Sequence, residues 1–122
     1  MKLHIVLLSN DPKRVFPSLM FTLSAAAMGD EVSLYCAMSG LDLVHPERRQ
    51  AIEMEGMPSA DQFFKDNLAQ GVKIYACGPS REMLEEMGIT EDILDEGVEI
   101  EDVTGFLLSI KPITADTVLT FI

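Results

Sequence analysis

The sequence predicts an α/β fold: a five-stranded, mostly parallel sheet with helices on both faces. Three observations carry that expectation. Short β-favouring runs alternate with helix-length periodic segments through all 122 residues, an order that joins parallel strands by right-handed crossovers. The first run, Leu3 to Leu8, is continuous except for His4, as in a strand buried on both faces. The hydrophobic fraction of 48% is enough for a core without disulfide or metal staples. No linker, internal repeat or low-complexity tract interrupts residues 1–122, so one domain is expected.

The elements follow in order. Leu3–Leu8 is the first strand. Ser9-Asn10-Asp11-Pro12 gives cap residues and then proline, a helix-start signature. Pro17 complicates the helix, because an internal proline removes a hydrogen bond and crowds the preceding turn. Either a short turn ends near Phe16 or the main helix begins at Pro17. Phe16, Leu19, Met20, Leu23, Ala26 and Ala27 recur at helical spacing as its buried face. Gly29 suits the left-handed position that stops it. Val32–Cys36 is the second strand, turned at Met38-Ser39-Gly40.

Residues 41–58, with His45-Pro46, Arg48-Arg49 and Gly56-Met57-Pro58, are the least regular stretch, of a length often functional or mobile. Ser59-Ala60-Asp61-Gln62 matches a capping box for a helix using Phe63, Phe64 and Leu68 and ending at Gly71. Val72–Ala76 is the third strand, ending at Cys77-Gly78-Pro79. Pro79–Met87 is a helix closed by Gly88, and Thr90-Glu91-Asp92 caps one further turn. Gly97–Ile100 is a brief fourth strand. Asp102 caps a helix with Val103, Phe106, Leu107 and Ile110, stopped by Lys111-Pro112. Thr117–Ile122 is the fifth strand.

Composition narrows the function classes. Nine Lys and Arg against twenty Asp and Glu give a formal net charge of -11. Such a chain is repelled by phosphate backbones and anionic membranes, which argues against nucleic acid and favours a basic partner protein. No apolar run approaches the roughly 20 residues of a membrane span, and the N-terminus is too short for a signal peptide. Two cysteines do not make a disulfide framework. A cytoplasmic protein with reduced thiols is expected.

Familiar cofactor signatures are absent. There is no G-x-G-x-x-G after the first strand, no P-loop and no G-x-S-x-G elbow. The first loop lacks the Ser/Thr/Gly run of a flavin phosphate site. No spacing of the two cysteines and two histidines supports zinc. No cofactor or metal is therefore expected.

The chemistry concentrates at Cys77. In parallel sheets ligands bind beyond the carboxyl ends of the strands, where Asn10, Cys36 and Cys77 all fall. A helix start there would favour a thiolate through unpaired N–H groups and the positive dipole end. The donors would be Gly78, Ser80 and Arg81, with Glu82, Glu85 and Glu86 opposing them. The competing reading is an ordinary buried cysteine. If the second and third strands are neighbours, the two sulfurs could lie close and Cys36 could act as a resolving thiol. Otherwise it is a small core residue. His45 could act over the cysteine, and Arg48 and Arg49 could bind an anion; the ordinary reading of each is a solvated loop residue.

Three stretches resemble the DsrE/DsrF-like superfamily, the small α/β proteins of intracellular sulfur relay, and its branch labelled peroxiredoxin-like in particular. They are Ala26–Val32, Ser39-Gly40-Leu41-Asp42-Leu43, and Ile74–Ser80 continuing through Met87–Leu94 to Val98-Glu99-Ile100. The resemblance implies a single three-layer α/β/α domain over residues 1–122. It implies a homo-oligomer, a trimer or hexamer, with a sulfur donor or acceptor protein as partner. It also implies a persulfide on Cys77, making the protein a sulfur carrier or sulfurtransferase. The alternatives are a non-enzymatic binding or regulatory module, and a redox sensor in which Cys36 resolves an oxidised Cys77.

Overall fold

A computed structural model describes all residues, Met1 to Ile122. Its centre is a five-stranded sheet of order β4-β3-β2-β1-β5. The strands are β1 (Lys2–Leu7), β2 (Glu31–Cys36), β3 (Lys73–Cys77), β4 (Val98–Glu101) and β5 (Thr117–Phe121). Every neighbouring pair is parallel. The helices are α1 (Pro12–Ala27), α2 (Pro46–Arg49), α3 (Ala60–Ala69), α4 (Arg81–Glu86) and α5 (Val103–Ser109), with a 3₁₀ segment at Met38–Leu43.

The topology explains an uneven sandwich. The chain steps from β1 to β4 in one direction, so right-handed crossovers put the intervening helices on one face. The connection from β4 to β5 runs back across the sheet, so α5 falls on the other. The side chains agree. Val15, Phe16 and Leu19 of α1, Phe64 of α3 and Leu84 of α4 pack with Leu3, Ile5, Leu7, Leu34, Cys36, Ile74 and Ala76 in one core. The second core is small: Phe106 of α5 and Ile110 at its C-cap against Val6, Tyr35, Ala37 and Tyr75. Strand alternation divides the two sets.

Pro17 lies inside an unbroken α1. An internal proline costs about 3 kcal/mol, and the burial of Val15, Phe16, Ser18, Leu19, Thr22 and Ala25 outweighs it. This face is rotated from the one expected: Met20 is exposed, and buried Ser18 and Thr22 take its place. Ser18 donates to the Arg14 carbonyl at 2.7 Å. Thr22 donates to Asn67 at 2.6 Å, and Asn67 donates to the Leu19 and Phe63 carbonyls. This satisfied polar bridge ties α1 to α3, so two small polar residues belong to the core.

The 41–58 stretch is more ordered than its sequence suggests. Leu41, Leu43, Val44 and Ile52 are buried, and so is Arg49, which is neither solvated nor free for an anion. Its guanidinium binds Asp61 at 2.8 Å, Asp95 at 3.0 Å and the Leu43 carbonyl at 3.1 Å, and lies 4.0 Å from the Phe64 ring centre. Arg48 donates to the Met87 carbonyl at 2.6 Å. Gly40 lies directly against the Leu7 backbone, where a Cβ would strike the carbonyl oxygen. That contact explains the Ser39-Gly40-Leu41 turn.

Candidate functional site

Cys77 ends β3, and its side chain is half-buried. Alternation puts it on the face of Tyr75, two residues earlier, and so on the α5 side of the sheet. The register pairs Tyr35 with Tyr75 and Cys36 with Ala76. Tyr35 reaches from β2 across β3 and donates to the Glu101 carbonyl on β4 at 2.9 Å. Phe106 stacks on Tyr35 at 4.4 Å between ring centres. The Cys77 thiol sits beside the Tyr35 hydroxyl. Burial first, and then this thiol, push that hydroxyl well above the ordinary tyrosine range.

A cavity of about 360 Å³ opens above the thiol at the carboxyl edge of the sheet. Its eleven lining residues are all apolar or aromatic, with Tyr35, Val103, Phe106, Leu119 and Phe121 forming much of the wall. Met38, on its rim, has a left-handed backbone with φ of 53° and is 73% exposed. Such a conformation is uncommon outside glycine.

The two thiols are not brought together. Cys36 faces the large core on the α1 and α3 side and has no exposed surface, while Cys77 faces the small core. The two strands are neighbours, but Cys36 opposes Ala76. One residue of offset turns Cys77 to the other face. Burial pushes the Cys36 thiol up to about 12, which disfavours its thiolate as well.

The helix start expected to activate Cys77 is displaced. Ser80 caps α4, accepting from the Met83 N–H at 3.2 Å, and the helix runs only Arg81–Glu86. Its Leu84 packs in the large core, on the face away from the sulfur. The Gly78 N–H is already bonded to the Glu101 carbonyl at 3.1 Å. Gly78 makes room for the core rather than for the thiol, since a Cβ there would meet Leu84 and Ile100 at 2.6 Å. Arg81 is exposed and paired with exposed Glu91.

The other candidates also have separate employment. Asn10 is exposed and donates to Asp42 at 3.0 Å. His45 caps α2, accepting the Arg48 N–H at 3.3 Å. His4 is buried beneath α5, with Nδ1 2.6 Å from the Ser33 hydroxyl and Nε2 without a protein partner. Neither histidine lines the Cys77 cavity, and no three His, Cys, Asp or Glu side chains converge as metal ligands. Sequence reasoning missed Tyr35, Phe106, Leu119 and Phe121. For Tyr35 a signal was present: in a strand ending at Cys36, the residue before it points to the opposite face.

A model of the DsrE/DsrF-like family matches residues 1–121. An uncharacterized protein of Methanocaldococcus jannaschii is 27% identical over 99 residues, or 81% of this chain. The chain spans 35% of that protein's length. No helix is long and apolar enough to cross a membrane.

Proposed function

We propose a sulfur-carrying role for Cys77 from one premise: the chain belongs to the DsrE/DsrF-like family. The family suggests sulfur relay in general terms, and Cys77 is the residue through which this chain would take part. The observation that carries the reading is the contrast between the two thiols. Cys36 is sealed in the core, whereas Cys77 lines an open cavity at the carboxyl edge of a parallel sheet, where such folds act.

In the proposed step the Cys77 thiolate attacks the outer sulfur of a donor persulfide, R–S–SH. A bond forms between the Cys77 sulfur and that outer sulfur as the donor S–S bond breaks. The products are Cys77–S–SH and R–S⁻, so atoms and electrons balance without an external oxidant. A thiolate on an acceptor protein takes the sulfur by the same exchange. The Tyr35 hydroxyl can turn its proton from the Glu101 carbonyl to a Cys77 thiolate, supplying a donor where α4 does not.

The same reading takes the protein to be a cytoplasmic homo-oligomer, a trimer or hexamer. Leu108 and Val118, exposed on α5 and β5 outside the cavity, support a covered surface there. The experiment is to load the protein with a low-molecular-weight persulfide and read the intact mass. One added sulfur atom is expected on the wild type and on Cys36→Ser, and none on Cys77→Ser. No gain on the wild type, or an equal gain on Cys77→Ser, refutes the role.

A binding module is the second reading, favoured by the wholly apolar cavity. It expects Cys77→Ser to keep its ligand.

A further inference from the structure

The walls of the Cys77 cavity carry a consequence for the sulfur compounds it accepts. All eleven lining residues are uncharged, and neither Arg81 nor any lysine is among them. Glu101, the register partner of Cys77 on β4, and Asp102 after it are the wrong sign for an anion. The Glu101 and Asp102 carboxylates lie close enough to act on the adjacent Tyr35 hydroxyl, both raising its pKa. The whole chain adds a net charge of -11. A small anion entering here would lose its water, gain no cation and face two carboxylates.

The volume, about 360 Å³, falls within the range of pockets that hold small organic molecules. Phe106, stacked on Tyr35 at 4.4 Å, gives the cavity an aromatic wall.

We infer that the cavity selects a sulfur compound whose carrier is a small, uncharged, apolar organic group, and rejects anionic donors. This rests on the reading of Cys77 as the reacting thiol and names the substrate class for it. Divalent sulfur on such a carrier reaches the thiol with its organic group against Phe106 and Leu119. A donor whose carrier group is anionic is held off.

The test uses thiol–disulfide exchange, which requires no persulfide. The full-length protein is treated with two aromatic disulfides of opposed character: neutral 2,2′-dithiodipyridine and the dianionic dithiobis(nitrobenzoate). In each case the Cys77 thiolate takes one half of the disulfide and releases the other as a thiolate, whose absorbance gives the rate. Cys77→Ser supplies the blank, and the same protein unfolded in denaturant supplies the intrinsic ratio of the two reagents. The native protein is expected to favour the neutral reagent at least tenfold more than the unfolded chain does.

Phe121 is 64% exposed on the cavity wall, so Phe121→Lys leaves the core intact while adding a cation. That variant is expected to recover several-fold in rate with the anionic reagent alone. An unchanged native ratio, a preference for the anion, or no reaction with either reagent overturns the inference. A neutral preference without persulfide loading sinks the sulfur-carrying role and leaves the cavity's selectivity standing. Loading without that preference does the reverse.

Discussion

Arg49 shows how much one side chain can settle. Its head is almost wholly buried, yet it meets two carboxylates, a backbone carbonyl and an aromatic face. Desolvating a guanidinium is costly, and only a nearly complete set of partners offsets the cost. These partners come from three regions: the start of α3, the 3₁₀ segment and the turn after α4. Arg49 therefore fastens residues 41–58 to the rest of the molecule. Arg49→Ala is expected to destabilise by roughly 3–5 kcal/mol, read as a lower midpoint in urea. Arg49→Lys should fall between, because an ammonium keeps the charge but loses the planar fork. In the sequence Arg48 and Arg49 are alike. Only the packing of Leu43 and Phe64 around one of them separates a core residue from a surface one.

At the scale of elements, α5 stands apart. It buries Phe106 and Ile110 and leaves Val103, Leu107 and Leu108 exposed, whereas α1 and α3 are bound by a continuous core and the Thr22–Asn67 bridge. Few buried contacts mean a low free energy of local opening. Amides of residues 103–110 are expected to exchange with deuterium faster than those of residues 15–25 under native conditions. Equal protection would show that α5 opens only with the whole fold. The strands and most helices were legible in the sequence, because apolar runs, caps and glycines mark them locally. The site was half-legible. The position of Cys77 at a strand end followed from its run of residues, but its face depended on register, and register is a property of pairs of strands. The same dependence left open whether α4 reaches the thiol and whether Cys36 is a resolving thiol or a core residue.

For the whole molecule, acidity should weaken the fold in two stages. Burial lowers the His4 pKa below its ordinary 6.5, so the unfolded chain takes up this proton first and stability falls as pH drops below that value. Lys65 and then Arg49 hold the Asp61 carboxyl below its ordinary 3.8. Its contribution is complete above that value and is lost as pH falls through the lower folded one. Urea midpoints between pH 7 and about pH 5 should decline in the wild type and stay flatter in His4→Gln. An equal decline in both would remove His4 from the account. The two thiols, turned to opposite faces, carry a further consequence. A chain with adjacent thiols could discharge its cargo at once by closing a disulfide and releasing sulfide. Here the second thiol is sealed in the core behind the sheet, so under the proposed role a loaded Cys77 would have no exit within its own chain. That loaded form would be a store, its lifetime set by the arrival of a second molecule.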